Sequence, residues 1–329
     1  MILNTPILIH NLEIANRIEL PPMATNHGMN GEVTEYQINY YREKSLGGCA
    51  GLIVAEHTYV SPEGIAGKNQ LSISKDEDIE GFRKISDTVH ANGTRIFLQI
   101  SHAGGAADTN ASELPALAPS PVTFSFVKNT PTEITRKDIA RIIQCFADAA
   151  VRAKKSGFDG VEIHAAHAYL LNEFFSPIAN KRTDEYNGQT LEGRTRLTLE
   201  VIRAVRAAVG PDYPVALRFG GCDYQEGGAT IEDAVQAAQL YEKAGVDLLD
   251  VSGGMNGYMI KGRTKPGYFK DLTSAIRKKV SIPVTLTGGV KTGKDAEALL
   301  QEGAADLIGV GRAMLRDSKW ADKVLKGEI

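Results

Sequence analysis

The chain has 329 residues, a net charge of −3 at pH 7 and a hydrophobic share of 43%. This length exceeds one average domain but is ordinary for an α/β barrel that folds as a single unit. The small net charge gives no reason to expect a nucleic acid or an anionic membrane as partner. The three cysteines are widely spaced and form no CxxC pair, which argues against disulfides and thiolate metal clusters.

The amino terminus gives no sign of export. Met1–Pro6 lacks the basic region and the apolar core of a signal peptide. No uncharged run elsewhere in the chain is long enough to span a bilayer. We therefore expect a soluble, cytoplasmic protein.

Short apolar runs alternate with amphipathic helical patterns along the whole chain. The runs are rich in Val, Ile and Leu, as strands buried on both faces of a parallel sheet are. The predicted strands are Ile18–Met23, Gly51–Glu56, Arg95–Ile100, Gly160–His164, Val215–Phe219, Leu248–Ser252, Val284–Thr287 and Leu307–Val310. These repeats predict a (β/α)₈ TIM barrel that occupies residues 1–329 as one domain.

Helix boundaries are marked by caps. Thr135 is expected to cap a helix with one apolar face, and further helices are predicted at Leu191–Val209 and Thr230–Ala244. The apolar face of the first helix comprises Ile139, Ile142, Phe146 and Ala150. Gly245 ends the last of these patterns, as a helix stop does.

One connection is long. Residues 102–134, after the third strand, are rich in Ala, Pro, Ser and Thr. Loops of this length usually bind ligands or cover a site. We expect a capping loop, with a β-hairpin around Thr123–Val127 over the barrel mouth; a plain surface insertion is the alternative.

Two histidines and a tyrosine follow the fourth predicted strand. His164, His167 and Tyr169 would lie at its carboxyl end, where parallel α/β proteins build active sites. Imidazole N–H groups can stabilise a developing oxyanion, and a phenol can deliver a proton. A zinc site and structural histidines are the alternatives. The metal interpretation lacks a clear third ligand, because His57 and His102 form no motif with the pair.

Glycine-rich turns end the last two predicted strands. Thr287–Val290 follows the seventh strand, and Gly309–Arg312 ends the eighth. Barrels often bind phosphate between these loops, where glycines let backbone N–H groups approach the oxygens. Arg312 adds a guanidinium suited to phosphate. The alternative is that the glycines serve only tight turns.

Together with Gln99 and Arg218 at other strand ends, these motifs give the chain a family resemblance. It resembles the Old Yellow Enzyme family of FMN-dependent oxidoreductases, from Asn16–Ile18 to Gly311–Met314. The most specific matching segments are Gly160–Pro177 and Asn180–Gly188.

The resemblance implies noncovalently bound FMN. Gln99 would contact the pyrimidine edge of the flavin, and Arg218 would face its N1–C2 side, where positive charge stabilises the reduced ring. The other implied cofactor-binding residues are Pro22, Met23 and Ala24 along the ring, His57 near its edge, Ser252, and Gly288, Gly289, Gly311 and Arg312 toward the phosphate.

The resemblance also implies a reaction. His164 and His167 would hold the carbonyl oxygen of an α,β-unsaturated substrate, flavin N5 would give a hydride, and Tyr169 would protonate the product. NADH or NADPH would supply the electrons. An NAD(P)H:flavin or quinone reductase, or an NADH oxidase, on the same fold is the alternative. A metal-dependent hydrolase using the two histidines, and a non-catalytic flavin- or phosphate-binding module, are alternatives from other classes.

Several residues depart from the family pattern. Ala24 stands where relatives often have cysteine or threonine, and Asn26 where one branch has a substrate-binding tyrosine. His57 stands where a small residue is usual, so it would add a donor or narrow the pocket. The chain ends at Ile329 without a cysteine-rich segment or an arginine-bearing tail, so neither an iron–sulfur cluster nor an active site shared between subunits is expected. A homo-oligomer stays open.

Overall fold

The computed structural model describes residues 1–124 and 130–328. The strands are β1 (Ile7–Ile9), β2 (Leu12–Ile14), β3 (Ile18–Leu20), β4 (Leu52–Tyr59), β5 (Arg95–Ser101), β6 (Leu117–Ala118), β7 (Thr132–Glu133), β8 (Gly160–Ala165), β9 (Val215–Cys222), β10 (Leu248–Gly253), β11 (Val284–Thr287) and β12 (Leu307–Gly309). The α-helices are α1 (Glu35–Ser45), α2 (Ile79–Ala91), α3 (Thr109–Ser112), α4 (Arg136–Lys155), α5 (Leu170–Phe175), α6 (Leu191–Val209), α7 (Ile231–Ala244), α8 (Lys270–Arg277), α9 (Gly293–Gln301), α10 (Arg312–Arg316) and α11 (Trp320–Leu325). Short 3₁₀ turns lie at Ile2–Asn4, Leu46–Gly48, Pro62–Gly64, Asp76–Asp78 and Gly104–Ala106.

Eight of these strands form a closed barrel. Strands β3, β4, β5, β8, β9, β10, β11 and β12 pair in that order, every pair is parallel, and β12 returns to β3. Helices follow the strands along the chain, so the predicted (β/α)₈ fold is confirmed. The first strand is shorter than predicted, because Pro21 and Pro22 have no N–H to donate to a ladder.

Side chains alternate between the two faces of each strand. On β10, Leu249 and Val251 belong to the main core between barrel and helices. The intervening side chains point into the barrel, where Leu248 lies in a small apolar cluster and Asp250 lies among polar groups. The interior is therefore apolar near the strand starts and polar near the strand ends.

An amino-terminal hairpin closes the apolar end of the barrel. Strands β1 and β2 pair in antiparallel fashion. Ile9 and Ile14 from this hairpin join Leu52, Phe97 and other barrel residues in the small apolar cluster. The barrel interior is consequently covered at the amino-terminal ends of the strands. This hairpin was not predicted from the sequence.

The predicted helix caps are confirmed. Thr135 accepts a hydrogen bond from the N–H of Asp138, whose carboxylate accepts from Thr135 in return. The four residues predicted for the apolar face of α4 are buried. Helix α7 begins after a Thr230 cap and ends at Gly245, whose φ of 110° favours glycine.

The long connection contains more structure than predicted. Residues 102–134 include helix α3 and the parallel pair β6–β7. Ala106 from this segment lines the cavity at the barrel mouth. The hairpin predicted around Thr123–Val127 falls partly on residues 125–129, outside the described residues. In the described ranges no helix has both the length and the apolar character needed to cross a membrane.

The Thr135 cap allows a test of the local helix signal. Thr135→Ala removes the side-chain acceptor of the first turn of α4, so the free energy of unfolding should fall by about 1 kcal/mol. Thr135→Ser keeps the acceptor and is the matched control. Denaturant titration of the two variants measures the difference, and equal stabilities would show that the cap contributes nothing.

Candidate functional site

A cavity of about 1160 Å³ opens at the carboxyl ends of the barrel strands. All the residues predicted at the site line it. They are Pro22, Met23, Ala24, His57, Gln99, His164, His167, Tyr169, Arg218, Ser252, Gly288, Gly289, Gly311 and Arg312. The structure thus brings the predicted set together, whereas the role of each residue stays a prediction.

A left-handed turn orients His167 and Tyr169. After β8, both His167 and Ala168 have φ near 60° (59° and 61°), a costly conformation for residues with a Cβ. Asn172 holds the turn, because its Oδ1 accepts from the Ala168 N–H at 2.9 Å and its Nδ2 donates to the Gly220 carbonyl at 3.1 Å. The turn reverses the chain so that both His167 and Tyr169 line the cavity.

Four rings converge on one wall of the cavity. The ring centroid of His164 lies 5.2 Å from that of His167 and 4.7 Å from that of Tyr169. His57, from β4, lies 6.4 Å from His164 and 5.7 Å from Tyr169. His167 Nε2 is 2.7 Å from the Ser252 hydroxyl oxygen, which fixes its ring. The wall therefore presents several proton-bearing groups within one small volume.

Burial keeps these rings uncharged. Desolvation lowers the pKa of His164 well below its ordinary value, and the nearby His167, His57 and Arg218 lower it further. The pKa of His167 is lowered for the same reasons. Burial raises the pKa of the Tyr169 phenol. At neutral pH each imidazole therefore carries one N–H, and the phenol keeps its proton.

A layer of polar side chains lies beneath the four rings. We call this layer the floor; it comprises Gln99, Glu162, Arg218 and Asp250. Gln99 Nε2 donates to Glu162 Oε1 at 2.7 Å. Arg218 forms an ion pair with Asp250. Glu162 lies beside that pair and accepts the bond from Gln99. Adjacent strands supply these residues in register, with His164 opposite Arg218 and Arg218 opposite Asp250.

Three buried carboxyl groups share one guanidinium in this floor. Burial is the largest cause that raises the pKa of Glu19, Glu162 and Asp250, and Arg218 opposes the shift in each. One cation compensates one carboxylate, and Asp250 is the carboxyl group in direct contact with it. We infer that Glu19 and Glu162 hold their protons, because further buried anions would lack compensation.

Cations gather at the end of the cavity near β11 and β12. Arg312 contacts the Tyr268 hydroxyl at 3.4 Å and Met259 Sδ at 3.8 Å. Within residues 1–124 and 130–328, neither Arg312 nor Arg316 nor Lys291 forms an ion pair with a carboxylate, although all three line the cavity. This end of the cavity is suited to an anionic group.

Residues 255–259 of the loop after β10 were not predicted at the site from the sequence. Residues 255–259 line the cavity, and the Tyr258 ring, 63% exposed, lies edge-on to His167 at 6.1 Å. The Tyr268 hydroxyl donates to the Tyr258 carbonyl at 2.9 Å and holds this loop in place. The Gly253-Gly254 pair at a strand end, followed by an aromatic residue, was the available signal for it.

The described residues offer no metal site. Across residues 1–124 and 130–328, no group of three or more His, Cys, Asp or Glu side chains is arranged to hold a metal ion. His102, one candidate third ligand, instead accepts from the Gly104 N–H through Nδ1 at 3.0 Å. The arrangement counts against a metal-dependent hydrolase.

The residues fit a flavin mononucleotide. Arg218 Nε and His164 Nδ1 are buried without a hydrogen-bond partner in the described part of the chain, and both residues line the cavity. Unsatisfied buried groups of this kind call for a ligand. A guanidinium beneath the rings suits an electron-rich ring, and the cationic end suits a phosphate. Fold and site together define a flavin-dependent oxidoreductase of the α/β-barrel class.

Comparison with known proteins agrees with this class. The model of the NADH:flavin oxidoreductase / NADH oxidase family matches residues 3–328. The chain belongs to this family, which confirms the resemblance to the Old Yellow Enzyme family and supports FMN as cofactor.

Three similar proteins illustrate the relationship. An NADH oxidase of Thermoanaerobacter brockii is 42% identical over 97% of this chain and 50% of its own length. An NADPH dehydrogenase of Bacillus subtilis (strain 168) is 37% identical over 99% of this chain and 95% of its own length. The solved structure of an old yellow enzyme homologue from Zymomonas mobilis has a TM-score of 0.86 and 28% identity, covering 99% and 93% of the two chains. The chain thus spans about half of the first relative.

A buried glutamate supports the cavity rim. Both Glu173 carboxyl oxygens lie near the Gly105 N–H, at 3.1 and 3.0 Å. A Cβ at Gly104, where φ is 65°, would lie 2.2 Å from Glu173 Oε2, so only glycine fits there. Burial raises the pKa of Glu173 to about 8, opposed by the Gly105 bond. The protonated form is therefore favoured by the fold.

Glu173 makes stability depend on pH. Since its folded-state pKa of about 8 exceeds the ordinary value of 4.5, its favourable contribution is complete below the lower value and is lost as pH rises through the higher one. Between the two values the free energy of unfolding should fall by about 1.4 kcal/mol per pH unit from this group. Glu173→Gln should remove that slope in denaturant titrations at several pH values. Equal slopes for wild type and variant would contradict the assignment.

Proposed function

We propose that the protein reduces the C=C bond of α,β-unsaturated carbonyl compounds, with NADH or NADPH as electron donor. The observation that carries the proposal is the convergence of His164, His167 and Tyr169, all proton-bearing at neutral pH, over the Gln99–Arg218 floor. Bound FMN supplies the hydride. The protein's side chains bind the substrate, polarise it and deliver a proton.

The two histidines are proposed to hold the carbonyl oxygen. Each is neutral and carries one N–H, and the Ser252 hydroxyl fixes the ring of His167. Strand β8 holds His164 and the left-handed turn holds His167. Donors fixed in this way need no reorganisation as negative charge develops on the oxygen, which is how such donors lower a barrier. Withdrawal of charge toward that oxygen activates the β-carbon.

Tyr169 is proposed to protonate the α-carbon. Its phenol keeps its proton at neutral pH because burial raises its pKa, so the acid is available without a prior proton uptake. Its ring lies 4.7 Å from His164, which brings acid and oxygen-binding donor to one substrate.

The remaining predicted residues are assigned to the cofactor. Gln99 would bond the flavin edge, Arg218 would stabilise negative charge on the reduced ring, and Pro22, Met23 and Ala24 would line it. Ser252 would lie next to the flavin, where its hydroxyl group also bonds His167. The phosphate would be held by Gly288, Gly289, Gly311 and Arg312, with Lys291 and Arg316 lining the same cavity.

Tyr169→Phe separates this function from the alternative. A flavin or quinone reductase, or an NADH oxidase, needs no proton donor at this position. The substitution should slow alkene reduction about 100-fold or more, the range for loss of a general acid, and leave FMN reduction by NAD(P)H near the wild-type rate. Anaerobic stopped-flow absorbance measures both half-reactions.

The control for Tyr169→Phe is Tyr36→Phe, which removes an exposed phenol from α1. It should leave both rates at the wild-type level. If Tyr169→Phe also leaves alkene reduction unchanged, Tyr169 is not the proton donor and the reductase alternative is favoured.

The Arg218–Asp250 pair predicts opposite shifts of the flavin midpoint potential. Arg218→Ala removes the cation that favours the reduced ring, so the potential should fall. Asp250→Asn removes the anion that offsets the same cation, so the potential should rise. We expect shifts of about 30 mV or more, equivalent to about 1.4 kcal/mol for a two-electron couple. Spectroelectrochemical titration measures both, and shifts of the same sign would contradict the assigned contact.

A further inference from the structure

His57 reaches the ring wall from a distortion in its strand. The β4–β5 ladder shifts register between Ala55 and Thr58, which is the signature of a bulge at Glu56 and His57. Bulges re-aim side chains and are frequent next to active sites. His57 accordingly lines the cavity beside His164 and Tyr169.

Buried Gln70 fixes the His57 ring. Gln70 Oε1 lies 2.6 Å from the Ala66 backbone nitrogen, which only donates, so the atom facing it is the amide oxygen. The Gln70 amide nitrogen then lies 3.1 Å from the His57 carbonyl, which only accepts. These two contacts determine the amide orientation independently of each other.

The same amide nitrogen determines the tautomer of His57. It lies 2.8 Å from His57 Nδ1, and because it is a donor, Nδ1 must accept. Burial lowers the pKa of His57 to about 4, so the ring is neutral at neutral pH and its one proton resides on Nε2. Nε2 has no hydrogen-bond partner in the described ranges and is not among the buried unsatisfied atoms, so it stays open to the cavity.

This N–H lies apart from the pair proposed for the carbonyl oxygen. The His164 ring contacts both His167 and His57, whereas in the described residues His57 has ring contacts only with His164 and Tyr169. A substrate with a single oxygen between His164 and His167 would offer the His57 N–H no acceptor. An unsatisfied donor lowers affinity, and a second acceptor on the ligand restores it.

We propose that His57, held in the Nε2–H tautomer by Gln70, is a third hydrogen-bond donor that selects substrates with a second carbonyl oxygen. The class is cyclic ene-diones and quinone-like compounds, in preference to simple enones. This inference rests on the proposed function, since it names the substrate class of the same site. Gln70 acts through His57 and is a positioning residue.

The tautomer is tested on the FMN-bound protein. Nitrogen-15 NMR of labelled histidine, with His57→Phe to assign the signal, should show a protonated Nε2 and an unprotonated Nδ1 in the wild type. Gln70→Glu replaces the donor by an acceptor, so the proton should move from Nε2 to Nδ1. A wild-type ring protonated on Nδ1 would overturn the proposal.

Substrate selection is tested with a matched pair, cyclopent-2-enone and cyclopent-4-ene-1,3-dione. Wild type should have the lower KM for the dione. The selectivity is the KM for the enone divided by the KM for the dione. His57→Phe and Gln70→Glu should each reduce this ratio by about threefold to tenfold, the change expected for one neutral hydrogen bond. An unchanged ratio, or a shift in flavin midpoint potential in its place, would overturn the proposal and assign His57 to the cofactor.

Failure of the proposed function has a different signature. If wild type reduces neither alkene, that function fails. Binding of cyclohexanone and cyclohexane-1,4-dione to the oxidised flavoprotein, followed by flavin absorbance, then decides the role of His57. Tighter binding of the dione that is lost in both variants supports the third donor, and equal affinity in all three proteins rejects it.

Discussion

The register of the closed parallel barrel is the constraint on which the site depends. Parallel pairing places Glu162 opposite Gln99, His164 opposite Arg218, and Arg218 opposite Asp250. Since side chains alternate between faces, a slip of one residue would turn each of these groups from the interior toward the helices. The apolar cluster under the amino-terminal hairpin opposes such a slip, because the slip would remove Phe97 and its barrel neighbours from their contacts with the hairpin.

In the polar interior that this register creates, negative charge is limited in two ways. Arg218 compensates one carboxylate, and protonation keeps the other buried carboxyl groups neutral. One guanidinium serves three buried carboxyl groups, so direct contact selects Asp250 as its anionic partner. Glu162, kept protonated, remains able to bond Gln99 without adding a second negative charge beneath the rings. The net charge that Arg218 presents to a ligand is therefore modest and is set by Asp250. This balance decides how strongly the floor attracts an electron-rich ring.

Above the floor, two buried amide side chains keep the proton-bearing rings in position. Asn172 stabilises the left-handed turn that orients His167 and Tyr169. Gln70 does the same for His57 at the bulge in β4. In both places a buried amide bonds backbone groups. Gln70 also contacts the His57 ring directly, whereas Asn172 acts on His167 and Tyr169 through the turn. The rings are thus positioned without the need for charge.

The sequence by itself determined the barrel, most strand positions, the Thr135 and Thr230 caps and the set of residues at the strand ends. These follow from local periodicity and cap chemistry, which neighbours in the chain specify. It did not determine the early end of β3 after Leu20, the amino-terminal hairpin or the loop at Tyr258. Only the tertiary structure decided that Arg218 pairs with Asp250, and that Gln70 determines the tautomer of His57. Those contacts join residues distant in sequence, and the closure of the barrel fixes their distances.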